Sequence, residues 1–126
     1  MSSNRYERGL EKFREVYPNV PVPENPGQDA WMTTMLENTF GAIWARDGLS
    51  VRELRLVILG ITAAQGNEDV FELQCKNAVT KGEMTPDQVM ELLLFLTQYV
   101  GYPRVAGLRQ RMQAAFPGAI ARADPA

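Results

Sequence analysis

Apolar positions recur at three- and four-residue steps along most of the chain, and no stretch shows the strict alternation of a strand. Tyr6, Leu10, Phe13 and Tyr17 define a first helix ahead of Pro18, with Asn4 and Glu7 as a capping box at its start. Residues 18–27, PNVPVPENPG, hold four prolines and predict an extended connection that crosses the surface or reaches a neighbour. A second helix is expected from Gln28 to about Arg46, carrying Trp31, Met32, Met35, Leu36, Phe40 and Ile43, with Asp47-Gly48 ending it. Ser50 and Glu53 form another capping box and open a third helix, VRELRLVILGITAAQ. After Arg55 that helix is apolar on nearly every side, which calls for burial in a core or against another subunit.

Gly66 and Gly82 bound a fourth helix, with Asn67, Glu68 and Asp69 suited to its start and Lys81 to its end. Val70, Phe71, Cys75, Ala78 and Val79 line its apolar stripe, and Gln74 falls in the same stripe. Thr85, Pro86 and Gln88 supply a cap, a proline in the first turn and a box-closing side chain for the fifth helix. Its wide apolar face carries Val89, Leu92, Leu93, Leu96, Tyr99 and Val100 until GYP at 101–103 interrupts it. A sixth helix runs from about Pro103 to Phe116 with Val105, Leu108, Met112 and Ala115, and the residues beyond Pro117-Gly118 are expected to fray. The pattern is that of an all-α fold of about six helices, and 126 residues suffice for one domain with a single core.

Composition narrows the chemistry. A net charge of −2 with interspersed signs, and no run of Lys or Arg, lacks the basic face of a nucleic-acid binder. No apolar run reaches the roughly 18 to 20 residues of a membrane span, and MSSNRYERGLEKF has no signal-peptide core, so a cytoplasmic location is expected. One cysteine and no histidine leave no internal disulfide, no CxxC pair and almost no ligands for zinc. No cofactor is expected.

Few residues remain as candidates. Cys75 has no histidine to activate it, and Lys76 points about 100° away round the helix, so it reads as a buried, inert thiol. Gln74, a polar amide in an apolar stripe, faces a pocket or satisfies a neighbouring helix. Arg46, Arg52 and Arg55 lie around the start of the third helix; Arg55 in an apolar run either holds a substrate carboxylate or pairs with Glu53, Glu37 or Asp47. Trp31, Trp44, Tyr99 and Tyr102 read as core or interface aromatics, of which only the tyrosines could also transfer a proton.

RYERGLEKF, FGAIWARDGLSVRELRLVILGITAAQG, KNAVTKGEMTPDQVMELLLFLTQYVGYP and the amphipathic helix that follows resemble the carboxymuconolactone decarboxylase family over roughly residues 5 to 116. The resemblance implies a compact helical protomer assembled as a trimer or hexamer, with pockets near subunit contacts. Trp44, Arg46, Gly48, Leu49, Arg55, Ala78, Gly82, Tyr99, Gly101 and Pro103 match the family pattern, whereas its histidine falls on Gln74 and its glutamate on Ala42. The related alkylhydroperoxidase D type needs a CxxC pair and a histidine, so thiol peroxidase activity is not expected with Cys75 alone.

Decarboxylation of a lactone acid forms an electron-rich dienolate that needs hydrogen-bond donors and then a proton. What the resemblance implies is therefore a protein that acts on or binds a small carboxylate or lactone with altered chemistry. Trp44, Arg46 and Arg55 would bind the substrate, Gln74 would donate to an oxyanion, and Tyr99, Tyr102 or bound water would deliver the proton. A non-catalytic oligomeric binding or structural role, and an isomerase or ring-opening enzyme on the same scaffold, stand as alternatives.

Overall fold

Capping chemistry sets most of the helix boundaries. A computed structural model of the chain describes residues 2–22 and 26–124, with helices α1 (Ser2–Val16), α2 (Ala30–Thr34), α3 (Val51–Gln65), α4 (Glu68–Thr80), α5 (Pro86–Val100) and α6 (Tyr102–Ala115). A π-helix, Met35–Trp44, continues directly from α2, a 3-10 turn occupies Pro26–Gln28, and no strand occurs among the described residues. The architecture is all-helical. No helix among the described residues is long and apolar enough to cross a membrane. The contacts group the chain into two compact units, Met1–Leu54 and Arg55–Ala126.

In the first unit, α1 lies against the π-helix at two glycines. A Cβ on Gly9 would run into the Leu36 carbonyl, and one on Gly41 into the Arg5 carbonyl, so both positions need the missing side chain. Arg8 Nε donates to the Gly41 carbonyl at 2.9 Å and Arg5 Nη2 to Asn38 Oδ1 at 2.8 Å. Phe13, Tyr17 and Phe40 form an edge-on aromatic group, and Phe40 stacks on Trp44 with centroids 6.1 Å apart.

Three expectations change here. Asn4 lies inside the first turn of α1, so the Asn4–Glu7 box does not start that helix. The second helix begins after Asp29, whose side chain accepts from the Trp31 amide, and its π-helical part ends at Trp44, leaving Asp47-Gly48 and Arg46 outside. The proline-rich connection begins as a turn, with the Val20 amide donating to the Tyr17 carbonyl at 3.1 Å, and its centre, residues 23–25, lies outside the described residues.

In the second unit, α3 to α6 enclose one core, with Leu59, Phe71, Val89, Leu108 and Met112 fully buried. Arg111 ties α6 to α4, donating to Asp69 Oδ1 at 2.6 Å and to Glu72 Oε1 at 2.9 Å. Lys76, bonded to the Glu72 carboxylate, holds that carboxyl below its usual range, and Arg111 adds to the effect. Within this chain α3 is buried on one face: Val57 and Ile61 are 55% and 49% exposed, so the chain's own core does not cover its other side. The chain after Gly118 does not fray at once, because the Ile120 amide donates to Asp87 Oδ1 at 3.0 Å. Residues 125–126 of the expected flexible tail lie outside the described residues.

Candidate functional site

Arg55 enters α3 one turn after its Ser50–Glu53 capping box, where the Ser50 amide donates to Glu53 Oε1 (2.8 Å) and the Glu53 amide to Ser50 Oγ (3.0 Å). The bond from the Ser50 amide is the largest cause holding the Glu53 carboxyl below its usual range. Arg55 itself is 0% exposed, and a guanidinium removed from water needs both a counter-charge and acceptors. Glu83 supplies the charge in a two-pronged arrangement, with Arg55 Nε donating to Oε1 at 3.0 Å and Nη2 to Oε2 at 3.3 Å. Arg55 Nη1 donates to Gln74 Oε1 at 2.9 Å.

Local structure explains why these three side chains converge. Gln74 is 2% exposed because helical spacing puts it on the buried face of α4 with Phe71, Cys75 and Ala78. α4 ends where Gly82 takes a positive φ of 74°; the Gly82 amide donates to the Val79 carbonyl (3.0 Å) and the Glu83 amide to that of Ala78 (2.9 Å). This is a Schellman ending, and it turns the chain so that Glu83 meets Arg55 before Thr85 caps α5. Among the described residues every buried side-chain nitrogen and oxygen has a partner.

The sequence leaves Arg55 either to a substrate carboxylate or to an ion pair with Glu53, Glu37 or Asp47; the structure pairs it with Glu83, 28 positions on. Spacing cannot reveal this pair, since it depends on the positive φ at Gly82. Asn77, fully buried with its Nδ2 donating to the Leu73 carbonyl at 2.8 Å, is a second polar group that the apolar stripe concealed. Cys75 is buried and free, and burial pushes its thiol up to about 12. The nearby Arg55 charge pulls the other way without offsetting that, so no thiolate forms near neutrality.

The remaining candidates stand apart from this cluster in their hydrogen bonding. Tyr99 is 80% exposed, with its ring 5.1 Å from that of Phe95, and Tyr102 is 69% exposed, so neither is a core aromatic of this chain. Neither hydroxyl has a hydrogen-bond partner among the described residues. Trp31 is likewise exposed; Trp44 alone of the four is buried, in the aromatic group of the first unit. Arg46 is exposed just beyond the π-helix and Ala42 is half-buried within it. Arg55 and Gln74 are thus brought together, while Trp44 and Arg46 belong to the other unit.

Two cavities are described, and neither is lined by Arg55, Gln74 or Glu83. One, of about 460 Å³, lies between α5 and α6 and includes Tyr102. The other, of about 290 Å³, lies beside the end of α1 at Tyr17 and Val20. Among the described residues no group of three or more Cys, Asp or Glu is placed to hold a metal ion.

The family model of the carboxymuconolactone decarboxylase family matches residues 29–120. No match to a curated protein was found. The matched span runs from the start of the second helix past the end of α6 and contains Arg55, Gln74 and Glu83. The chain belongs to the carboxymuconolactone decarboxylase family.

Proposed function

We propose that this family member binds a small carboxylate or lactone and has lost the proton transfer of a decarboxylase. The observation that carries this reading is the 2.9 Å bond from Arg55 to Gln74 Oε1. At the position where the resemblance puts the family's histidine stands an amide whose carbonyl is engaged by a buried cation. An amide has no pKa useful for moving a proton, and Ala42 at the glutamate position adds no other acid. Arg55 would hold a ligand carboxylate only by exchanging it for that of Glu83, a like-for-like swap of one planar anion for another. The resemblance names Trp44 and Arg46, of the first unit, as binding residues in their own right, and Tyr99 and Tyr102, of the second, as the remaining acids. The family match runs across both compact units, which supports treating the chain as a single domain.

A second reading, an oligomeric structural member without catalysis, draws on Val57 and Ile61 of α3 and Phe95 of α5. These exposed apolar side chains suit a homo-oligomer, a trimer or hexamer, more than an isolated chain. Isothermal titration of the full chain with carboxymuconolactone separates the two. Saturable binding that weakens in Arg46→Gln is expected; the absence of any saturable heat would favour the structural role.

A further inference from the structure

α5 and α6 meet at Gly101, and Ile120 and Ala121 return to close one side of the groove between them. That segment is fixed by the bond from the Ile120 amide to Asp87 Oδ1, in the first turn of α5. The groove, about 460 Å³ and partly open to solvent, falls within the range of small-molecule sites. Met90, Leu93 and Val105 are buried beneath it and make its floor apolar. Tyr102, Ala106, Arg109 and Gln110 recur along one face of α6 and line the same space.

Arg109 is the one charged residue in this lining. Its neighbours on α6 are engaged: Arg104 donates to the Ala64 carbonyl at 3.0 Å, and Arg111 pairs with Asp69 and Glu72. Arg109, Tyr102 and Gln110 have no hydrogen-bond or ion-pair partner among the described residues. A cation without an internal counter-charge, beside an apolar floor, complements a ligand with an apolar body and one anionic end.

We infer that the α5–α6 groove is a binding site for a small amphiphilic carboxylate, with its hydrocarbon on Leu93 and Val105 and its carboxylate at Arg109. Tyr102 and Gln110 supply neutral donors beside the charge. The groove shares no residue with the Arg55–Gln74–Glu83 cluster and binds whether or not that cluster takes a ligand; of the residues named for the proposed function it holds Tyr102 alone.

Calorimetry of the full chain with octanoate and with octanamide tests the site. Octanoate should bind more tightly than octanamide, and Arg109→Gln should weaken octanoate about fivefold, the scale of a partly exposed ion pair, while leaving octanamide unchanged. Ala106→Trp, at an exposed position, should fill the groove and remove binding of both. Equal affinity for the two probes, the same loss in Arg14→Gln as in Arg109→Gln, or octanoate binding untouched by Ala106→Trp would overturn the inference. Access is checked separately with Ala106→Cys, since Cys75 is buried and stays silent. Rapid labelling by a bulky maleimide in the native assembly is expected; protection there would show that another chain covers the groove and would overturn it too.

Discussion

A guanidinium with no exposed surface is stable only while its partners stay in place, so single changes around Arg55 should be costly. Glu83→Ala leaves an uncompensated buried charge and should cost about 3 to 5 kcal/mol in urea unfolding. Gln74→Leu removes one acceptor from a charged donor and should cost roughly 1.5 to 3 kcal/mol. A loss below half a kilocalorie in Glu83→Ala would show that Glu83 is not the counter-charge. Cys75 gives a pH-dependent counterpart. Its folded value of about 12 lies above the unfolded thiol value near 8.5, so the stability it confers is complete below that unfolded value and declines as pH rises towards 12. The stability of the wild type relative to Cys75→Ala should therefore fall between pH values of about 8.5 and 11. A constant difference across that range would contradict the burial argument, and ligand binding should change no more than a few-fold in the variant.

Three glycines separate close packing from simple helix propensity. Gly9→Ala and Gly41→Ala place a Cβ against backbone carbonyls that cannot yield, and each should destabilise by about 1 to 3 kcal/mol. Gly60, inside α3 with nothing within 4 Å of its Cβ position, should gain roughly 0.5 to 1 kcal/mol on replacement by Ala. Urea midpoints of the three variants check both signs. The same contrast explains what was legible in the sequence. Caps that act locally read well: Ser50 with Glu53, Asn67 at α4 and Thr85 with Gln88 all make the expected bonds. The π-helix could not be read, because Leu36, Phe40 and Trp44 at four-residue steps look the same in an α-helix. Its distinguishing feature is the approach of α1 at Gly9 and Gly41, a contact 32 residues apart in sequence. Gln74 was legible as a polar anomaly, but Glu83, which shares Arg55 with it, was not, since only the turn at Gly82 brings that carboxylate back.

For the whole molecule, the unspent apolar surface is the guide. Val57, Ile61 and Phe95 stand exposed on long, well-capped helices, so self-association is expected at micromolar concentration. Sedimentation should find an assembly larger than the 14.1 kDa chain, and Ile61→Glu or Phe95→Glu should shift it towards monomer. A monodisperse wild-type monomer would remove the oligomer from the account. Family membership, the internal Arg55–Gln74 bond and the absence of histidine converge on one claim, that the scaffold persists without the decarboxylase's proton transfer. The most direct measurement is the turnover of carboxymuconolactone by the purified wild-type chain. No rate above that of buffer alone is expected; robust turnover that disappears in Gln74→Ala would contradict the loss of proton transfer.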